Sequence, residues 1–236
     1  MAKLIQEISV FLPTYNEESN IGLVIVKTTE VLKAVAEKWE LLIINDGSTD
    51  STREVALTFS KFDKNIRLVD NEKNMGYGAA LASGFYNSKY EWIAFIDSDG
   101  QFDLAEIVNF IEKQRNTKAD LVIGYYVSRK VSFGKKITSR MWETLVYLLF
   151  GLKVHDIDCG FKLISKKVLD KISKLESERG AFVSSELLIK AKKAGFKIEE
   201  VPVTHYPRIK GVGTGRNINV ILKSFADLFR LWRKLK

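Results

Sequence analysis

Asp97 and Asp99 stand one serine apart at the end of the apolar run "WIAFI", and Gly100 and Gln101 follow them in "AFIDSDGQ". Two carboxylates at a strand end repel each other, a cost that a simple turn does not require. With the amide oxygen of Gln101 they suit a hard divalent cation of the magnesium or manganese kind. Such an ion takes oxygen ligands, keeps some water and fills its remaining positions from substrate phosphates. The chain has only two histidines, His155 and His205, and one cysteine, Cys159, which argues against a zinc site. A cation at Asp97, Asp99 and Gln101 would bridge a nucleoside diphosphate and offset the charge that builds on it as it departs.

The elements that must position these groups follow from periodicity. Apolar runs at Ile8 to Leu12, Glu40 to Asn45, Ile66 to Asp70, Trp92 to Asp97 and Asp120 to Gly124 read as strands. Helices are expected near Ile21 to Glu37, Thr52 to Ser60, Gly78 to Ser88 and Leu104 to Lys113, with Ser51 and Glu54 forming a capping box at the second. Nearly all-apolar strands separated by helices imply an α/β fold with a mostly parallel sheet covered on both faces. Ligands then bind beyond the carboxyl ends of the strands. The loops "PTYNEE", "DGSTD", "NEKNMGYG" and "DSDGQ" follow the first four strands, so all four should open on one rim.

The second half is less regular. It offers a helix from about Thr138 to Phe150, a short strand at Phe161 to Ile164, a helix from Ser185 to Gly195, an extended "KIEEVPVTHY" and a basic, glycine-rich "RIKGVGTGR". Near the end, Ile221, Phe225, Leu228, Trp232 and Leu235 form one stripe of a basic amphipathic helix. Residues 1–216 read as one catalytic domain and residues 217–236 as this appended helix, with no transmembrane segment and no signal peptide.

The net charge of +8 is unevenly spread. Residues 1–124 hold 13 Lys and Arg against 19 Asp and Glu, and residues 125–236 hold 24 against 10. An anionic partner therefore belongs with the second half. A nucleic acid fits poorly, because the basic residues are not interleaved with stacking aromatics and the acidic rim would repel a phosphate backbone. An anionic membrane surface and a phosphorylated substrate both fit. The 46% hydrophobic and 28% charged composition is that of an ordinary globular protein.

The motifs "FLPTYNEESNIG", "LLIINDGSTDST", "NMGYGAALASGF" and "FIDSDGQFD" resemble, in order and spacing, the family 2 glycosyltransferases, whose GT-A fold is a nucleotide-sugar-binding α/β sheet. Further on, "DIDCGFKLISKKVL", "SSELLIKAKKAGFKIEEVPV" and "HYPRIKGVGTG" are similar to the polyprenyl-phosphate branch, dolichyl-phosphate mannosyltransferase and its bacterial glucosyl relatives. The resemblance spans nearly the whole chain. It implies an inverting transfer of a hexose from a nucleotide-sugar of the GDP-mannose or UDP-glucose type to a polyprenyl phosphate such as dolichyl or undecaprenyl phosphate.

Carried over residue by residue, the resemblance places the nucleotide at Pro13, Tyr15 and Glu17. Tyr15 has a ring to stack on a base, and Glu17 has oxygens to accept from ribose hydroxyls. Asp46 matches the aspartate that pairs with base N–H groups, and Asn45 stands where the family often has another aspartate. Asn74, Gly76 and Gly78 match a loop whose glycines permit close backbone approach. Asp97, Asp99 and Gln101 match the Mg²⁺ or Mn²⁺ and diphosphate ligands. Arg140 matches the acceptor-phosphate position, and Arg208 with Lys210 the basic loop that closes over the diphosphate. Tyr126 departs from the pattern where an arginine is common, and Arg129 is the nearest replacement.

A phosphate nucleophile has a second pKa of ~6 and needs no strong base. A saccharide or protein hydroxyl acceptor is the alternative, and it would need a carboxylate base from Asp156, Asp158 or Glu186. A lipid acceptor implies a cytoplasmic protein held peripherally at the cytoplasmic face of the membrane. The stretch from Trp142 to Phe150 and the C-terminal helix would lie in the interface, or a separate membrane protein would recruit the chain.

Overall fold

The computed structural model describes residues 3–127, 133–177, 180, 182–208 and 218–236. Its strands are β1 (Ile5–Thr14), β2 (Ala36–Asn45), β3 (Ile66–Asp70), β4 (Trp92–Phe95), β5 (Leu121–Tyr126), β6 (Lys162–Ser165) and β7 (Ile198–Val203). The helices are α1 (Ile21–Val35), α2 (Thr52–Phe62), α3 (Tyr77–Asn87), α4 (Ile107–Thr117), α5 (Phe133–Phe150), α6 (Lys166–Lys171), α7 (Phe182–Lys193) and α8 (Ile218–Leu235). A short 3-10 turn at Leu104–Glu106 precedes α4.

The described strands form one sheet in the order β3-β2-β1-β4-β6-β5-β7. β1, β2, β3 and β4 are mutually parallel, β5 and β7 are parallel, and β6 runs antiparallel between β4 and β5. The alternation of side chains along a strand explains why these runs are apolar throughout. Ile8, Val10 and Leu12 of β1 enter one core with Ile21 and Ile25 of α1 and Phe110 of α4. Phe11 enters the other with Phe85 of α3, Val146 of α5, Leu187 of α7 and Leu228 of α8. Leu41 and Ile43 of β2 divide from Leu42 and Ile44 in the same way.

Three expectations need correction. Helix α1 stops at Val35 rather than Glu37, because Ala36 is extended (φ −115°, ψ 147°) and already pairs with Ile5 as the first residue of β2. The capping box at α2 does not form. Glu18 Oε2 accepts from Ser51 N at 2.9 Å, the bond expected of the Glu54 side chain, and Asp50 Oδ1 accepts from Thr52 N at 3.0 Å, so two carboxylates from outside the helix satisfy its first N–H groups. The interfacial stretch is also divided. Val146 and Phe150 lie in the core and Trp142 packs edge-on against Phe182 and Phe225, while Met141, Tyr147 and Leu148 face outward.

Among the described residues no helix is long and apolar enough to cross a membrane. Helix α8 is amphipathic as expected, with Leu228 and Leu231 buried and Arg230, Arg233 and Lys234 exposed.

Candidate active site

Parallel pairing puts the carboxyl ends of β1, β2, β3 and β4 on one rim, and their loops are tied together there. Asn16 sits in the left-handed region (φ 53°), and its Oδ1 accepts from Thr49 N at 2.8 Å. Glu17 N donates to Thr52 Oγ1 at 2.8 Å, which joins the loop after β1 to the start of α2. Ser98 Oγ donates to the carbonyl of Pro13 at 2.8 Å and holds the Asp97–Asp99 loop against the end of β1. Pro13 is buried, whereas Tyr15 is exposed beside it.

Asp46 is buried and already engaged. Its Oδ1 accepts from Asn71 Nδ2 at 2.8 Å and Met75 N at 3.0 Å, and its Oδ2 accepts from Gly76 N at 2.8 Å. The carboxylate thus shapes the loop that delivers the start of α3. Gly76 has φ 100°, a conformation that L side chains rarely adopt, so glycine is required for this entry. Asn74 remains exposed on the same loop, and Gly78 is buried in the first turn of α3. Asn45 donates to Asp70 Oδ1 at 2.9 Å, a bond that an aspartate at this position would turn into a repulsion.

The central pair lies beyond β4. Asp97 Oδ1 accepts from Tyr77 Oη at 2.8 Å, and Asp99 Oδ1 accepts from Gln101 N at 3.0 Å. Burial, followed by the neighbouring Asp99 charge, pushes the Asp97 carboxyl up to about 7, against the opposing Tyr77 hydrogen bond and the charges of Lys162 and Arg208. Burial and the charge of Asp97 hold the Tyr77 phenol well above its ordinary range, so it remains a donor. Arg208 Nη2 lies 2.6 Å from Glu17 Oε1 and 3.2 Å from Asp99 Oδ2. Gln101 Nε2 donates to the Tyr206 carbonyl at 3.0 Å, which leaves Oε1 as the acceptor end of that amide.

This donor set fits a hard divalent cation. It contains only oxygens, and the charge of Asp99 opposes ionisation of the buried Asp97 despite Lys162 and Arg208, a cost that a divalent cation would offset. Among the described residues no group of three His, Cys, Asp or Glu side chains could hold a metal ion, so the remaining positions would fall to Gln101, water and substrate.

Two residues that motif reading passed over complete the site. Tyr77 lies within "NMGYG", where the glycines carry the sequence signal and the hydroxyl carries none. Lys162 is fully buried at the rim end of β6, paired in register with Phe95, and its Nζ donates to the Cys159 carbonyl. Burial lowers its pKa, while Asp156, Asp158 and Asp97 among its neighbours oppose the shift. A lone charged residue in the apolar run "GFKLIS" was the available signal.

The loop that Lys162 holds presses on the site. A Cβ on Gly160 would lie 2.3 Å from Asp97 Oδ2, so no side chain fits there without moving Asp97. Gly160→Ala is therefore expected to lower the transfer rate by about 10²-fold through misplacement of that carboxylate. Initial rates measured alongside a melting curve separate this effect from loss of fold.

The other expected site residues are distributed differently. Arg140 is exposed in α5, and no hydrogen bond or ion pair with the described residues engages its guanidinium. Tyr126 stacks on Phe102 at 6.0 Å and meets His205 edge-on at 4.8 Å, which makes it part of an aromatic cluster rather than a charged position. Arg129 and Lys210 lie outside the described residues. Glu186 is buried at 2% exposure, with Glu176 N, Ser177 N, Ser177 Oγ and Lys190 Nζ as partners. It has no remaining role as an exposed base.

The model of glycosyl transferase family 2 matches residues 9–173, which include all four rim loops and the Asp97–Asp99 pair. The chain belongs to this family. Among curated proteins, the family 2 enzyme is 28% identical over 228 residues to a dodecaprenyl-phosphate galacturonate synthase of Rhizobium johnstonii, covering 94% of this chain and 67% of that one. It is 30% identical over 237 residues to a dolichyl-phosphate beta-glucosyltransferase of Trichomonas vaginalis, covering 95% and 72%. Among solved structures it resembles glucosyl-3-phosphoglycerate synthase from Mycobacterium tuberculosis in complex with Mn²⁺, UDP-glucose and phosphoglyceric acid. The TM-score is 0.70 at 20% identity, with 96% of this chain and 80% of that one covered. The fold is GT-A, as the sequence implied.

Proposed function

We propose that this family 2 glycosyltransferase moves a hexose from a nucleotide-sugar of the GDP-mannose or UDP-glucose type to a polyprenyl phosphate at a membrane surface. The observation that carries the reading is the match, along about 95% of the chain, to enzymes named for dodecaprenyl or dolichyl phosphate. Asp97, Asp99 and Gln101 would hold Mg²⁺ or Mn²⁺, whose chemistry is to neutralise the departing diphosphate. Tyr15 and Glu17 line the nucleotide side of the rim, and Asp46 acts by fixing the 71–76 loop around it. Arg208 supplies a guanidinium within reach of the diphosphate, and Arg140 orients the acceptor phosphate.

The commitment of Glu186 to structural bonds removes one of the three candidate bases of a hydroxyl acceptor and leaves Asp156 and Asp158, whereas a phosphate nucleophile needs none. A lipid phosphate is already largely dianionic at neutral pH. Its attack opposite the leaving nucleoside diphosphate inverts the anomeric centre. The outward Met141, Tyr147 and Leu148 of α5 and the basic outer face of α8 provide surfaces for peripheral contact with anionic lipid at the cytoplasmic face.

The test is an acceptor competition with labelled GDP-mannose and UDP-glucose, in which polyprenyl phosphate is set against soluble saccharides. Label is expected in the organic phase and only with lipid phosphate present. Transfer to soluble hydroxyls that is indifferent to lipid phosphate would overturn the reading.

A further inference from the structure

Arg208 is paired with one carboxylate of the Asp97–Asp99 loop. Its side chain keeps only 23% exposure and bridges Glu17 Oε1 and Asp99 Oδ2, so one guanidinium joins the loop after β1 to the loop after β4. Both sides of this bridge are fixed. The Arg208 segment is fastened to the strand-end loop by Tyr206 N donating to Gln101 O at 2.9 Å and Gln101 Nε2 donating to Tyr206 O at 3.0 Å. Thr204 N donates to the Glu106 carboxylate at 3.0 Å and anchors the same segment two residues earlier. On the opposite side, Asn20 Nδ2 donates to Glu17 Oε2 at 2.6 Å and turns Oε1 toward Arg208.

We infer that Glu17 is a positioning residue, a berth that parks Arg208 on Asp99 as the stand-in for the divalent cation. Arg208 must then give up Asp99 before the carboxylate pair can be loaded. The inference rests on the reading of Asp97 and Asp99 as a cation site. Its physical basis is that a guanidinium and a divalent ion drawn to one carboxylate repel each other strongly at contact distance in a half-buried site. A lysine has a route out by losing its proton, but arginine stays charged and has to move. Glu17 limits that movement. Its Oε1 meets the same Nη2 as Asp99 Oδ2 and at the shorter distance, so an Arg208 that gives up Asp99 keeps Glu17 as its partner and stays at the rim where the diphosphate would sit. Cation loading and release of the diphosphate-binding arginine thereby become one event.

The experiment is Mn²⁺ binding without nucleotide, read from the electron paramagnetic resonance signal of free Mn²⁺, for wild type, Arg208→Gln and Arg53→Gln. The last variant removes the same charge from an exposed pair with Asp70 and controls for net charge. Arg208→Gln is expected to bind Mn²⁺ alone about tenfold tighter than wild type, with Arg53→Gln unchanged. In the presence of UDP or GDP the order is expected to reverse for nucleotide affinity, because the guanidinium is then missing from the diphosphate. Arg208→Lys keeps a charge but lacks the fork, and should tighten Mn²⁺ less. It carries the test if the glutamine variant fails to fold. Mn²⁺ affinity equal to or weaker than wild type in the Arg208 variants, while wild type still binds Mn²⁺ with nucleotide, overturns the berth alone. No Mn²⁺ binding by wild type in any arm removes the cation site itself, and the berth with it.

Discussion

Asp99→Ala is expected to lower the transfer rate by about 10³-fold while the melting temperature in buffer stays close to wild type. The size follows from the usual cost of removing one group that stabilises charge developing on a leaving group. Asp99 is half-buried in a loop, and its described bonds are to Gln101 N and Arg208. Its loss leaves Arg208 paired with Glu17 and leaves the apolar cores untouched. Ligand-induced stabilisation gives an independent readout, because a ligand that binds the folded state raises the melting temperature by mass action. Wild type is expected to shift with Mn²⁺ plus one nucleotide, and the variant to lose the metal-dependent part of that shift. An Asp99→Ala enzyme with near wild-type rate would remove Asp99 from the chemistry.

The strand-end carboxylates were legible because their chemistry contradicts their setting, an apolar run that stops in two like charges one serine apart. The four rim loops were legible because parallel strands must deliver their carboxyl ends to the same side. What pattern reading missed depends on contacts between residues distant in sequence. Asp46 was expected to face a base, yet residues 25 to 30 positions later claim both its oxygens. The second half was harder for a topological reason. β6 is a four-residue strand inserted antiparallel between β4 and β5, too short for its period to declare direction. Lys162 inherits that difficulty, because only its place beside Phe95 reveals that a charge in a short apolar run reaches the rim.

Glu186 gives the second large effect, and it falls on stability rather than on rate. Its Oε1 lies 2.6 Å from Lys190 Nζ and 2.9 Å from Glu176 N, and its Oε2 accepts from Ser177 N at 2.9 Å and Ser177 Oγ at 2.5 Å. Lys190 is itself 3% exposed and donates to the carbonyls of Ser173 and Lys174. Removing one partner of such a buried pair leaves an uncompensated charge, at a cost of about 3–5 kcal/mol. For a chain of this size, that corresponds to a fall in melting temperature of roughly 10 °C for Glu186→Ala. The same 173–177 segment also receives α8 through Lys234 and Glu176, so the loss should extend to the docking of the C-terminal helix. Glu186→Leu combined with Lys190→Leu is expected to recover much of the loss, because it removes both charges together. A base would behave differently. Its replacement would depress the rate of fully folded enzyme, and no second substitution at Lys190 would restore it. Rates per folded molecule measured well below the transition therefore discriminate the two roles. Preserved turnover in Glu186→Leu/Lys190→Leu would leave a hydroxyl acceptor without this base and strengthen the case for a nucleophile that arrives already ionised.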